Sequence, residues 1–173
     1  MTGTTVRIDS IEIRNFKNVG YGHLDFKNSK NDGKASILGL YGQNGSGKTA
    51  LIDALELLRL ALSGRSIPTY FADYINVDSK YATLKYEFRI SNQKKGCVYS
   101  AFYEVNLRRD VNNIEHNTEQ PSVDENYKAV LYEEKLSCSY ECGDNKVKLS
   151  PMINTKTNDD VVFVPDAKYR LFI

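Results

Sequence analysis

Two hydrophobic periods divide the chain. From Tyr81 onward apolar and polar positions alternate. Ala82, Leu84, Tyr86, Phe88 and Ile90 face one way against Lys85, Glu87 and Arg89, and Tyr99, Ala101, Tyr103, Val105 and Leu107 repeat the pattern. A period of two marks a strand with one buried face and one wet face. Strands are therefore predicted over 81–90, 98–107 and 128–141, with short ones over 146–149 and 161–164. Asn92–Gly96 and Gly143–Asn145 read as turns between them. The polar stretches 110–126, which carries Pro121, and 154–160 read as loops. This order of strands and turns predicts an antiparallel β meander.

The first part of the chain has another rhythm. Val6–Ile13 (VRIDSIEI) is β-branched and partly alternating, and its alternation slips near Ser10, which predicts a bulge or a change of face. Gly20 and Gly22 read as a turn, His23–Phe26 as a short strand, and Asn28–Lys34 as a polar loop. Ser36–Tyr41 is continuously apolar, the pattern of a strand covered on both faces. From Thr49 the period lengthens to that of a helix. Leu51, Leu55, Leu58 and Leu62 form a stripe that Ile52, Ala54 and Leu57 widen, which predicts a helix mostly enclosed by protein. Gly64 is its expected stop, and Pro68 bars continuation. Ile67–Lys80, with Tyr70, Phe71 and Tyr74, reads as a short helix or loop whose aromatics either cover a ligand or simply pack; packing is the preferred reading.

Between the apolar run and the helix stands GQNGSGKT, Gly42–Thr49, which fits G-x-x-x-x-G-K-[ST] at every fixed position. The residue types follow from the charge they would hold. Gly42, Gly45 and Gly47 permit backbone angles that turn successive N–H groups inward as an anion nest. The helix beginning near Lys48 adds unpaired N–H groups and the positive end of its dipole. Lys48 brings a point charge to the β- and γ-phosphates, and the hydroxyl of Thr49 is placed to ligate magnesium. The candidate nucleotide-binding residues are Gly42, Gln43, Asn44, Gly45, Ser46, Gly47, Lys48, Thr49 and Ala50, with Thr49 as the metal ligand and ATP with Mg as the expected ligands.

Composition narrows the partners. At 173 residues the chain is one domain by size, read as 1–66 (strands, loop and helix), 67–80 (connection) and 81–173 (antiparallel part). The net charge of +1 gives no overall basic field to attract nucleic acid, and Arg108 and Arg109 read as a solvated strand end. No apolar run approaches a membrane span, and no signal-peptide core opens the chain. The three cysteines, Cys97, Cys138 and Cys142, lack metal-site spacing and read as reduced thiols in a cytoplasmic protein. The ending Leu171-Phe172-Ile173, without a polar tail, suggests a piece of a longer protein.

A phosphate loop does not by itself choose an enzyme class. The only approach to the guanine-reading N-K-x-D is Asn145-Lys146-Val147-Lys148, which lacks its acidic residue. A small-molecule kinase returns from its first helix into a parallel strand, whereas an alternating meander follows here. The combination of I-x-I-R-N-F-K-N, a short L-D-F strand, GQNGSGKT and an apolar helix resembles the N-terminal lobe of ABC-type ATPases of the SMC and RecF kind. It is closest to bacterial AAA-family ATP-binding proteins related to the overcoming-lysogenization-defect nucleases. The match is specific over Val6–Leu62 and looser over Val130–Leu136.

The resemblance implies an α/β fold: an ABC-ATPase-like P-loop NTPase lobe with a mixed sheet around one long helix, plus the meander. It implies that Arg14, Asn15, Phe16 and Lys17 lie near base and ribose. There Phe16 either packs on the nucleotide or belongs to the core, and Arg14 and Lys17 either meet phosphate or are solvated. It further implies hydrolysis only when a later lobe and a second copy complete the site, with DNA or an effector protein as a further partner. The motifs of that later lobe are missing. Leu62-Ser63-Gly64 resembles a signature motif but ends the wrong helix. Asp166 follows a Walker-B-like run, yet Pro165 interrupts it and Ala167 stands where a glutamate base belongs. Neither Gln93 nor Gln120 sits where a Q-loop glutamine is expected. No catalytic residue is assigned.

Overall fold

The alternating runs become strands longer than the pattern alone predicts. The computed structural model describes residues 4–26, 39–92, 97–111, 127–142, 145–156 and 161–162. The strands are β1 (Thr4–Phe16), β2 (Val19–Asp25), β3 (Ala82–Asn92), β4 (Cys97–Val111), β5 (Tyr127–Cys142), β6 (Asn145–Lys156) and β7 (Val161–Val162). They form one seven-stranded sheet in the order β2-β1-β3-β4-β5-β6-β7. β3 and β4 run in unbroken register from Ala82 opposite Leu107 to Asn92 opposite Cys97. The slip expected near Ser10 is present as a register shift between Ile8 and Ser10 against β3. It lets Ile11 and Ile13 share the buried face with Leu84 and Tyr86.

The α/β lobe with a mixed sheet is not the fold found. Every strand pairing among the described residues is antiparallel. The mixed sheet required the apolar run before the phosphate loop to be a covered strand. Residues 36–38 lie outside the described residues; Gly39–Tyr41 has no regular structure, and Tyr41 is 95% exposed. Elsewhere strands adjacent in sequence simply fold back on one another, which gives antiparallel neighbours. The excursion from β2 to β3 passes through the helix and lands beside β1, again antiparallel.

The helix α1 spans Lys48–Leu62. Its sequence, rich in Ala and Leu, favours that state, and Glu56 and Arg59 add an exposed pair at 2.5 Å. Arg59 also holds the Glu56 carboxyl below its usual range. Gly64 ends it as expected: at φ 63 it lets Gly64 N–H reach Ala61 O and Arg65 N–H reach Leu60 O, the Schellman arrangement. The Leu62-Ser63-Gly64 triplet is thus a helix cap. Ala50, Leu51, Ala54, Leu57, Leu58 and Leu60 are buried, while Ile52 and Leu62 are exposed, so α1 is covered on one side only.

One apolar cluster joins that side of α1 to the inner faces of β1, β3 and β4. At its centre the Tyr86 hydroxyl donates to Ala54 O at 2.7 Å. The opposite face is polar. Lys85 lies between Glu12 at 4.0 Å and Glu104 at 3.1 Å, and Lys135 between Glu104 at 3.8 Å and Glu133 at 3.0 Å, a row of alternating charge across β1, β3, β4 and β5. The aromatic stretch after α1 forms a 3-10 helix, Thr69–Tyr74. Arg109 holds it, donating to Ala72 O at 2.8 Å and to Ile75 O. Cys97 is disulfide-bonded, which corrects the expectation of three reduced thiols, whereas Cys138 remains a thiol.

Candidate functional site

The loop Gly42–Thr49 lies where β2, at the sheet edge, meets the start of α1. Its shape rests on residues that tolerate left-handed angles: Gly45 has φ 84 and Gly47 φ 88. The N–H of Ser46 closes a turn on Gln43 O at 3.2 Å. Lys48 folds back over this turn, and its ammonium donates to Gly42 O and Gln43 O, both at 2.7 Å, and to Ser46 Oγ at 3.1 Å. Gly42–Ser46 and Thr49 are exposed, Gly47 and Lys48 half-buried, and Ala50 fully buried.

Gly47 is the N-cap of α1, with no side-chain cap and no acidic residue in the first turn. Leu51 N–H makes the first helical bond, to Gly47 O at 3.2 Å. The N–H groups of Lys48, Thr49 and Ala50 therefore have no acceptor within the helix. Together with the Lys48 ammonium they make this corner electropositive.

The tip of the β1–β2 hairpin closes on the loop. Asn18 Nδ2 donates to Gly45 O. A Cβ on Gly47 would lie 2.9 Å from Val19 Cγ2, so the hairpin also fixes glycine at that position. A cavity of about 500 Å³ lies between them. Ile11, Ile13 and Leu24 give it an apolar wall and Gly45–Lys48 its cationic end, whereas the Tyr21 and His23 side chains stand beside their partners Arg14 and Glu12 on the other face of the hairpin.

The structure separates the residues expected beside the base. Arg14 pairs with Glu12 at 2.9 Å and stands 5.2 Å from the ring centre of Tyr21. Asn15, at φ 54, accepts from Asn76 N–H at 3.0 Å. Phe16 is fully buried, edge-on to Tyr74 at 5.7 Å and stacked with Phe71 at 6.3 Å. Lys17 pairs with Asp53 and lies 4.2 Å above the Tyr74 ring. None of these four lines the cavity; Asn18–Leu24 does. Sequence reasoning missed that stretch because Gly20 and Gly22 were read as the turn. Tyr21 between two glycines was the available signal, since an aromatic there suits a strand better than a turn.

Arg108 and Arg109 are engaged within the chain. Arg108 lies 4.7 Å above Tyr132 and 3.9 Å from Asp110, and Arg109 anchors the 3-10 helix. Asp166, Gln93 and Gln120 lie outside the described residues. Among the described residues no cluster of His, Cys, Asp and Glu has metal-site geometry, and no helix is long and apolar enough to cross a membrane.

The site is thus a glycine-rich loop at an uncapped helix start beside a part-apolar cavity, an arrangement whose N–H groups can donate to an anion. The model of a family described as AAA domain matches residues 10–160. The chain belongs to that family, and ATP binding of the ATPase type is its functional class. No curated protein and no solved structure matches it.

Proposed function

We propose that this chain binds ATP with magnesium through Gly42–Ala50 and forms the nucleotide-binding part of an ATPase. The observation that carries the reading is the juxtaposition at the loop. Three N–H groups without helical acceptors, one ammonium and one exposed hydroxyl converge where the backbone bends around two left-handed glycines. That donor set suits a polyphosphate and nothing apolar. Lys48 is held over the turn by two carbonyl oxygens and the Ser46 hydroxyl, which use its three N–H donors, so on binding it exchanges one of these contacts for a charge-assisted bond to a phosphate oxygen. Thr49, on the first turn of α1, offers its hydroxyl to the metal. Magnesium, when bound, draws charge from the β- and γ-phosphate oxygens.

In this reading the base lies against Ile11, Ile13 and Leu24. Arg14 and Tyr21 brace the hairpin from its other face, while Asn15, Phe16 and Lys17 shape its turn. Hydrolysis awaits groups supplied by a later lobe and a second copy, which orient water and offset developing charge.

The test is nucleotide affinity by calorimetry in wild type and Lys48→Ala. Losing one charge-assisted phosphate contact costs about 2 kcal/mol, roughly a thirtyfold weaker Kd. Equal affinities, or a wild type that binds no ATP, would defeat the reading.

A further inference from the structure

We infer that Asn18 is a positioning residue for the phosphate loop, and that the β1–β2 hairpin holds this loop in its binding shape from the side. The inference rests on the nucleotide reading above and adds the residue that sets the loop's geometry. The residues entering the loop, Gly39–Gln43, are not strand, so the sheet does not hold that end directly. The hairpin tip instead holds the loop's crown, its last glycine and the helix that follows. Asn18 Nδ2 donates to Gly45 O, Val19 lies beneath Gly47, and Lys17 pairs with Asp53 in α1.

The first contact has a directional consequence. A trans peptide points its C=O and the next N–H in opposite directions. With Gly45 O drawn to Asn18, the N–H of Ser46 is turned the other way, onto Gln43 O at 3.2 Å. Asn18 thus pins the peptide plane at the crown of the bend. That bend also brings the Gly42 and Gln43 carbonyls to Lys48.

The tip can act as a fixed point because it is itself anchored. Asn15 and Lys17 are held in left-handed angles unusual for side chains with a Cβ. The bonds that keep them there are Lys17 N–H to Tyr74 O at 2.5 Å and Asn76 N–H to Asn15 O at 3.0 Å, beside the bridge between Phe16 and Ile75. The loop is therefore tied through Asn18 to the 3-10 helix and its aromatic cluster.

The decisive variant is Asn18→Asp, which keeps the shape and sets an acceptor against an acceptor. Two probes are titrated, MgATP and inorganic tripolyphosphate, with melting in the absence of ligand and amide hydrogen exchange at Ser46 read alongside. The expected result is a tenfold or greater loss of affinity for both probes by the same factor, faster Ser46 exchange and an unchanged ligand-free melting temperature. Unchanged MgATP affinity or unchanged Ser46 exchange overturns the inference. A loss confined to MgATP overturns it too, because the effect would then lie at the base. A drop in melting temperature that accounts for the lost affinity reduces Asn18 to a structural role and likewise overturns it; Asn18→Ala, free of the added charge, repeats the comparison. Wild type binding neither probe is a different failure: it defeats the nucleotide reading, whereas the Ser46 exchange result still judges the contact.

Discussion

Gly47 is where the loop, the helix start and the hairpin meet, and substitution there tests their packing directly. In Gly47→Ala two costs arise. The backbone stands at φ 88, where a Cβ costs about 1–2 kcal/mol. The new methyl also lies 2.9 Å from Val19 Cγ2, an overpacking worth about 1–3 kcal/mol. Val19 cannot easily retreat, because it is the register partner of Phe16, which is fully buried. The expected destabilisation is about 2–5 kcal/mol, read from urea unfolding followed by circular dichroism at constant m. Val19→Ala alone removes half-buried methyl groups and costs about 1 kcal/mol. In the double variant the clash vanishes and only the backbone cost and the lost methyls remain. The double variant should therefore be more stable than the sum of the singles by about 1–3 kcal/mol. Additivity within about 0.5 kcal/mol would refute the contact between hairpin and loop.

Two further predictions concern the core. Burial raises Tyr86 above the ordinary phenol value of 10.0. Burial also raises Tyr103, helped by its hydrogen bond to the Glu134 carboxylate and by that group's charge. Both groups hold their protons more tightly when folded, so their contribution is complete below pH 10 and is lost as pH rises above it. Each adds about 1.4 kcal/mol of lost stability per pH unit there. Tyr86→Phe should cost about 1 kcal/mol at neutral pH through its bond to Ala54 O; it should also make the alkaline slope in a melting series shallower. Arg109→Met removes a charged donor from Ala72 O and Ile75 O and should cost about 2 kcal/mol. Faster amide exchange in the 3-10 helix checks it, and unchanged protection there would count against the anchoring role.

The period of two was legible because strands β3 and β4 have one face on α1 and one in solvent, so each side chain reports its own environment. The helix was legible for the same reason at its own period, together with Gly64 at its end. The strand class was not. Ile37-Leu38-Gly39-Leu40 has the composition of a covered strand, but four apolar residues fix neither a partner nor a direction. Leu40 and Tyr41 are exposed in the structure. The hairpin tip was misplaced by a different mechanism. Gly20 and Gly22 are the natural turn formers, yet the turn falls at Lys17–Asn18, and the left-handed residues are Asn15 and Lys17. Tertiary bonds from Tyr74 and Asn76 impose those angles, and nothing local to residues 15–17 records them. The loop could be read from its spacing. The wall facing it could not, because that wall depended on where the hairpin turned.

The position of the site follows from how α1 crosses the sheet. Its middle is tied to β3 through Tyr86 and Ala54, near the sheet's centre. Its start lies beside the tip of the edge hairpin, where Val19 meets Gly47 and Lys17 meets Asp53. A 15-residue helix is about 22 Å long, and neighbouring strands are about 4.8 Å apart. A slanted path from edge to centre therefore fits within its length. Burying the apolar stripe over β3 and β4 leaves the uncapped N–H groups at the rim, where an anion can reach them without entering the core. The apolar period that drives α1 onto the sheet and the glycines that precede it thus act together. The first decides where the positive end of the helix must emerge, and the second decides what backbone surrounds it.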